Sequence, residues 1–494
     1  MVETIQFGKG QSVAVMQLSK LNRHGIIAGA TGTGKTITLK VLAEQLSKAG
    51  VPIFLSDIKG DLMSLAEAHS GDGLEERLKT TEYADYVPQA FPVEVWDVLS
   101  KDGIPLRMTV SQMGPILLSQ ILGLNDVQES ILTTTFDVAD KKGLLLIDLM
   151  DLRAMLNYVA ENAKDLSQYY GNIAKNSIGA ILRSLVVLEQ QGGSLFFGEP
   201  AIDIHDFMQT NASGQGIINI LNAKELFQLP TLYSMVLFAI LSEIYENLPE
   251  EGDLDKPKMV FFFDEAHTLF RDTPKVLVEK VELVVRLIRS KGVGIFFVTQ
   301  NPTDIPDTIS SQLGHRIQHG MRAYTPKEIK TVKTLSESFR QDGHVDMAEV
   351  IQQLQVGQAV VSSLDVEGVP TIADTVTIYP PQSKIGTIDP SLLMRTINQS
   401  ANQEKYAEAV NRESAHEQIL AATQQQEEVL IEMAKEGNQP TSSPLPSARE
   451  EKSKARTSRR SDSNFDRFTK NMMSSVGREL GRMITRSITG MLKK

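Results

Sequence analysis

Two stretches far apart in the chain hold residue types that together could bind and cleave a phosphoanhydride. Gly29-Ala30-Thr31-Gly32-Thr33-Gly34-Lys35-Thr36 satisfies G-x-x-x-x-G-K-T in full, after an apolar run and at the start of a helical pattern. Backbone N–H groups of such a loop surround a β-phosphate, Lys35 can neutralise β- and γ-oxygens, and Thr36 can ligate Mg²⁺. Asp264-Glu265 ends the apolar run Met259–Phe263. An acid pair there can also cap a following helix. Beside a complete phosphate loop it reads as a Walker B pair, with Asp264 on Mg²⁺ and Glu265 polarising the attacking water. The second acid favours hydrolysis over nucleotide sensing. Gln300 ends another apolar run, Val293–Thr299. If that strand lies between the two motif strands, Gln300 can contact the γ-phosphate or orient water. ATP and Mg²⁺ are thus expected, with Lys35, Glu265 and Gln300 as catalytic groups.

These groups need a scaffold that alternates strands and helices, and the chain has that pattern. His24–Gly29 reads as a strand, Lys35–Gly50 as a helix, and Val51–Asp61 as a second strand. A small β element is expected near residues 91–110, and a helical block runs from Gly114 to about Gln191. Strands resume near Gly216, followed by a helix over Leu229–Leu248, the Asp264-Glu265 strand, a helix, and the Gln300 strand. "HRIQHGMRA" (from His315) is a further strand, a helix starts at "TPKEIK", and residues 358–379 form a β-hairpin. The expected fold class is α/β, a parallel sheet flanked by helices with an α-helical insertion. Its parts are 1–110, the insertion 111–200, the second half of the core 201–390, a polar and largely disordered linker 391–463, and a basic amphipathic helix 464–494. In that last helix Phe465, Phe468, Met472, Val476, Leu480, Met483 and Ile484 share one face, while Arg478, Arg482 and Arg486 share another. It could pack on protein, bind nucleic acid or lie on an anionic membrane, and packing on a protein partner is the commonest fate.

Composition narrows the choices. The 494 residues include no cysteine, which excludes disulfides, thiolate chemistry and cysteine-based zinc sites. The N-terminus lacks a secretory layout and no apolar run is long enough to span a bilayer, so a cytoplasmic protein with no integral membrane segment is expected. A net charge of −11 argues against wrapping nucleic acid over the whole surface. The charge is uneven, because the last 44 residues hold twelve Lys or Arg against four Asp or Glu. Asp264–His267 spells DEAH, but helicases of that box need a second motor domain, for which nothing after Tyr379 has room.

The phosphate loop with its preceding His24, "SDIKGDL", the helical insertion, "FFFDEAH", Arg289-Ser-Lys-Gly-Val and "VTQNPTDIP" together resemble the HerA/FtsK superfamily of RecA-like P-loop NTPases. "GLNDVQESIL", "LLLIDLMDLRAMLNYV" and "HRIQHGMRAYTPKE" resemble more closely the bacterial HerA-like DUF853 (YjgR) family, over roughly residues 1–390 and the basic C-terminal helix. The resemblance implies a homo-oligomeric ring, a hexamer, with ATP at subunit boundaries and DNA in the channel. It also implies an arginine supplied by the neighbour. Arg289 matches the family position, with Arg322 and Arg23 as weaker candidates. The N-terminal barrel of archaeal HerA proteins has no counterpart in the roughly 25 residues before the loop. The expectation is an ATP-driven DNA translocase or helicase. The alternative is a P-loop ATPase acting on a protein partner without nucleic acid, and a nucleotide-dependent scaffold is disfavoured because Lys35, Thr36, Asp264 and Glu265 are all intact.

Overall fold

The computed structural model describes residues 3–71, 73–252, 254–270, 275–341, 343 and 345–436. The basic helix expected over 464–494 lies outside the described residues. The chain forms two compact units. Of the described residues, one comprises those within 3–113, 120–123 and 187–410, the other those within 114–119, 124–186 and 411–436.

The first unit is built on one sheet whose strands, in chain order, are β1 (Thr4–Lys9), β2 (Val13–Gln17), β3 (Gly25–Ala28), β4 (Ile53–Asp57), β5 (Val93–Asp97), β6 (Ile104–Pro105), β7 (Ile218–Asn222), β8 (Met259–Phe263), β9 (Val293–Thr299), β10 (His315–His319), β11 (Gln358–Ser362) and β12 (Asp374–Ile378). Their spatial order is β2-β1-β12-β11-β10-β3-β9-β8-β4-β7-β5-β6. From β10 through β6 every pairing is parallel. From β10 outward on the other side every pairing is antiparallel. The hairpin at residues 358–379 is as expected, whereas the β1–β2 hairpin had no clear sequence signal.

Parallel strands covered on both faces need unbroken apolar runs rather than alternation. All residues of β8 and β9 are buried, and their side chains interlock as stacked pairs, Phe262 on Phe296 at 5.2 Å and Phe263 on Phe297 at 5.9 Å. Gly25 is required beside them, because a Cβ there would lie 2.3 Å from the Phe296 ring. The helix Pro230–Asn247, the most apolar stretch, buries residues on every side. It is a core helix, and among the described residues no helix is long and apolar enough to cross a membrane.

The connection out of β3 is helix α1 (Lys35–Lys48), which leads to β4, three places away in the sheet. The chain leaving β9 crosses to β10 on the opposite flank of β3. Diverging connections of this kind open a crevice at the carboxyl ends of the strands, where ligands of open α/β sheets bind.

The second unit packs helices. Asp126–Lys142 starts at an Asn125/Gln128 capping box and Leu149–Glu161 at an Asp148/Asp151 box. Asp151 also accepts hydrogen bonds from the Ser414 hydroxyl and the His416 amide, at 2.8 Å for the latter, fixing the start of the helix Ala415–Glu436. The stretch 391–463, expected as a disordered linker, is therefore helical over much of its first half, including Pro390–Gln399 and Ala401–Tyr406 in the first unit. Its composition is polar, but sparse anchors suffice: Ile397, Tyr406 and Ala415 are buried, and Asp389 and Ser400 cap their helices.

Candidate nucleotide site

The loop Gly29–Thr36 leaves the carboxyl end of β3 and turns into α1. Gly29 and Gly34 have φ values of 151° and 113°. A Cβ on Gly29 would lie 2.5 Å from the Cβ of His319, and one on Gly34 would lie 3.1 Å from the backbone of Gly357. No other residue fits either position. Lys35 doubles back over the loop, its Nζ donating to Gly29 O at 2.7 Å and Ala30 O at 2.9 Å. Burial lowers the Lys35 pKa, opposed by the Glu265 and Asp264 carboxylates. The first amides of α1 have no intrahelical acceptor and face the loop. Thr36 lies in the same cleft of about 280 Å³ as Lys35 and the loop glycines.

β8 delivers the acids. Burial raises the Asp264 pKa to about 6, with Lys59 working against the rise and Glu265 adding to it. Glu265 takes a left-handed φ of 48°, fixed by its N–H donating to Asp264 Oδ1 at 2.9 Å. Such a conformation is costly for a non-glycine residue and is found where a site holds a side chain in place. The Glu265 carboxylate receives Gln300 Nε2 at 3.1 Å and Lys59 Nζ at 3.2 Å. Gln300 Oε1 in turn accepts from the Thr31 hydroxyl at 3.0 Å. A continuous polar chain thus runs from the phosphate loop through Gln300 and Glu265 to Lys59. It exists because β9 lies between β3 and β8, with Ala28 opposite Thr299 and Phe263 opposite Phe297.

Arg289 is not brought to this cleft. It forms the turn Arg289–Lys291 before β9, at the amino end of the sheet, and its carbonyl accepts from Asn22 Nδ2 at 3.4 Å. The seven residues of β9 separate it from Gln300, about 20 Å at the rise of a strand. Arg23 sits at the same end, beside His24. Arg322 donates to Leu354 O at 3.1 Å, near the loop that packs on the phosphate loop.

Three participants were not singled out from the sequence. Lys59 projects from a tight turn after β4, in which Asp57 accepts the amides of Gly60, Leu62 and Met63 at 2.6, 3.0 and 3.2 Å. Its charge is favoured by Asp264 and Glu265 in spite of burial. His319 supports the loop from below, with Nδ1 donating to Gln358 O and Nε2 accepting from the Thr38 hydroxyl, each at 2.8 Å. The third is the segment Gln382–Gly386, whose Ile385 and Gly386 line the cleft. The stretch "SDIKGDL" was the available signal for Lys59, but its partner is 206 positions away.

The donor set suits a triphosphate with Mg²⁺. One hydroxyl and one buried carboxylate, with phosphate and water completing the shell, is the usual protein share for this ion. A cation beside Asp264 would restore its ionised form. The sheet order and this cleft define a P-loop ATPase fold with an extra strand between the two motif strands. More closely, the chain belongs to the helicase HerA-like C-terminal family, whose profile matches residues 3–494. It is similar to the DNA double-strand break repair helicase HerA of Sulfolobus acidocaldarius, 23% identical over 411 residues that cover 78% of this chain and 72% of that one. The helicase of the same name from Sulfurisphaera tokodaii is 22% identical over 428 residues, covering 83% and 76%. Among solved structures, the bacterial conjugative coupling protein TrwB has a TM-score of 0.48 at 15% identity, over 78% of this chain and 92% of that one.

Proposed function

We propose that the protein is an ATP-hydrolysing motor that acts on DNA, as a translocase or helicase. The observation that carries the chemistry is the polar chain Thr31–Gln300–Glu265–Lys59, which holds a carboxylate ready beside a complete phosphate loop. Membership of the HerA-like family, whose relatives are named as DNA repair helicases, supports the cargo.

Lys35 exchanges its two carbonyl partners for phosphate oxygens, so its ammonium is desolvated in advance and meets a stronger acceptor. Thr36 and Asp264 would hold Mg²⁺, which when bound would supply positive charge to offset that of the phosphates. Glu265 takes the proton of the attacking water, and the Gln300 amide keeps its carboxylate facing the loop. Gln300, bonded to both motifs, registers whether the γ-phosphate is there. Arg289, remote from its own cleft, acts on the site of a neighbouring subunit in a homo-oligomer, for which a hexamer is the expected form. A cytoplasmic location belongs to the same reading.

ATPase assays with and without DNA, beside a native mass measurement, test the proposal. Turnover is expected to rise with DNA, more so at low salt, because phosphate contacts dominate such binding. Glu265→Gln is expected to lower turnover by about 10²–10⁴ while nucleotide still binds. A rate indifferent to single- and double-stranded DNA at low salt overturns the DNA cargo. It would favour the second reading, a protein partner, for which the acidic net charge of −11 speaks.

A further inference from the structure

Two exposed β-branched residues share the phosphate cleft, Val356 with 67% and Ile385 with 46% of its surface open to solvent. Single exposed apolar residues are ordinary. These two differ in how firmly their backbones are held. Next to Val356, Gly357 N–H donates to Thr33 O at 2.9 Å, tying this loop to the phosphate loop. Arg77 caps the carbonyls of Val356 at 2.9 Å and Gly357 at 3.4 Å.

Ile385 is held by a different device. The helix that starts with Lys35 and Thr36 also carries Lys40 and Glu44, both 1% exposed. Glu44 accepts the Gln382 amide at 2.9 Å and the Ser383 amide and hydroxyl at 3.0 and 2.6 Å. Lys40 donates to Lys384 O and, at 2.7 Å, to Ser64 Oγ. Lys384 N–H donates to Glu67 O at 2.8 Å. Three successive residues before Ile385 are thus fixed to buried groups, and the side chain that follows is presented to the cleft. Val356 and Ile385 also have restricted χ1 rotamers, so little entropy is lost if a ligand packs on them.

We infer that Val356 and Ile385 are the two jaws of a base-binding subsite, which grips the faces of the purine of a nucleoside triphosphate whose phosphates lie on Gly29–Thr36. The inference rests on the cleft being a nucleotide site. A base has two apolar faces and a polar edge, and these jaws can cover only faces. The side chains that line the cleft on the polar side are Thr31, Lys35, Thr36, Lys40, Lys59 and Asp61. Lys35 is turned onto the loop, Lys40 is bound to Ser64 and Lys384, and Lys59 is bound to Glu265. Among the described residues that line the cleft there is no Asn or Gln, and the one carboxylate, Asp61, can accept only from an amino group, which adenine and guanine both carry. A site that makes no hydrogen bond to the groups by which two bases differ discriminates weakly between them, so adenine and guanine are held about equally.

The test is calorimetric binding of ATP, GTP and inorganic tripolyphosphate, each with Mg²⁺, to the full chain, to the Val356→Ala/Ile385→Ala double variant, and to Val366→Ala. Val366 is a surface control, 66% exposed. Wild type is expected to bind ATP and GTP within about fivefold of each other. The double variant is expected to lose about tenfold or more for both nucleotides, with tripolyphosphate binding unchanged and the control like wild type. ATP affinity in the double variant within about twofold of wild type overturns the jaws, as does an equal loss for tripolyphosphate. A wild-type preference for ATP over GTP of more than about a hundredfold overturns face-only recognition. Wild type that binds neither ATP nor tripolyphosphate overturns the nucleotide site itself, and the jaws with it.

Discussion

His24, which immediately precedes β3, is expected to make the protein acid-sensitive between pH 6.5 and about 4. Its φ is 57° and its ring is 2% exposed. Nε2 lies 2.8 Å from Val285 O and Nδ1 lies 3.1 Å from the amide of Ile295. A carbonyl only accepts and an amide only donates, so the ring is neutral with its proton on Nε2. A second proton would point at an N–H group. Burial lowers the His24 pKa from 6.5 to about 4, the Val285 hydrogen bond opposing and Arg289 assisting the fall. Between those two values the unfolded chain holds the extra proton and the folded chain does not. The stabilisation is therefore fully present above pH 6.5 and is lost as pH falls toward 4. Its full size is about 3 kcal/mol, of which about 2 is gone by pH 5. Urea unfolding of wild type and His24→Asn at pH 7.5 and pH 5 measures it. Asn tolerates the left-handed backbone and has both a donor and an acceptor. His315 and His319 are also lowered to about 4 by burial and titrate in both proteins, so the difference between the two pH dependences isolates His24. Wild type should lose about 2 kcal/mol more than the variant over this interval. Equal losses would refute the argument.

Three further substitutions probe other layers. Lys59→Ala removes a cation 3.2 Å from Glu265 and leaves the phosphate loop untouched; turnover should fall about tenfold while ATP affinity shifts only a few-fold, and steady-state kinetics with direct binding would expose the opposite pattern. Gly34→Ala places a Cβ at φ 113° and 3.1 Å from Gly357, so nucleotide binding should vanish while far-ultraviolet circular dichroism is unchanged. Asn219→Leu strands Trp96 Nε1 and removes the side-chain donor from Ile53 O and Phe207 O, now bonded at 3.0, 3.1 and 2.9 Å; a loss of roughly 2 kcal/mol or more is expected in denaturant unfolding, and a neutral result would mean these buried groups find other partners.

Local chemistry was readable from sequence and long-range pairing was not. The eight residues Gly29–Thr36 carry their own geometry, because glycine torsions, the lysine and the helix start are adjacent. β8 and β9 were readable because burial on both faces demands unbroken apolar runs such as Met259–Phe263. Even the placement of Gln300 followed from one assumption about strand order. Lys59 gave no comparable signal, since a lone lysine in a turn is ordinary until Glu265 faces it across 206 positions. Glu44 gave no signal either: an acid within a helix is ordinary in sequence, yet this one is buried beneath a segment 338 to 339 positions away. The helices at 390–436 were hidden for a compositional reason. Their burial rests on a few residues such as Tyr406, whose hydroxyl is bonded to Asp206, and such anchors are lost in an average over polar neighbours.

β9 connects two of the expected site residues that the cleft itself keeps apart. Gln300 follows its carboxyl end and Arg289 lies four positions before its amino end, with the seven buried residues of the strand in between. Phe296 and Phe297 are stacked on the neighbouring strand, and the amide of Ile295 is bonded to His24. A close-packed strand of this kind cannot bend locally without opening voids on both faces. A shift of Gln300 that follows the loss of a γ-phosphate must therefore move the strand as a body or be resisted by it. His24 also binds Val285 O, on the helix that leads into the Arg289 turn, so the phosphate-loop strand and that turn share one buried imidazole. In an assembly where Arg289 completes the neighbour's site, the state of one cleft would reach the next through this strand and this ring, without a separate relay. His24→Asn, which keeps the backbone but alters that joint, should then weaken any cooperativity in ATP turnover before it weakens ATP binding.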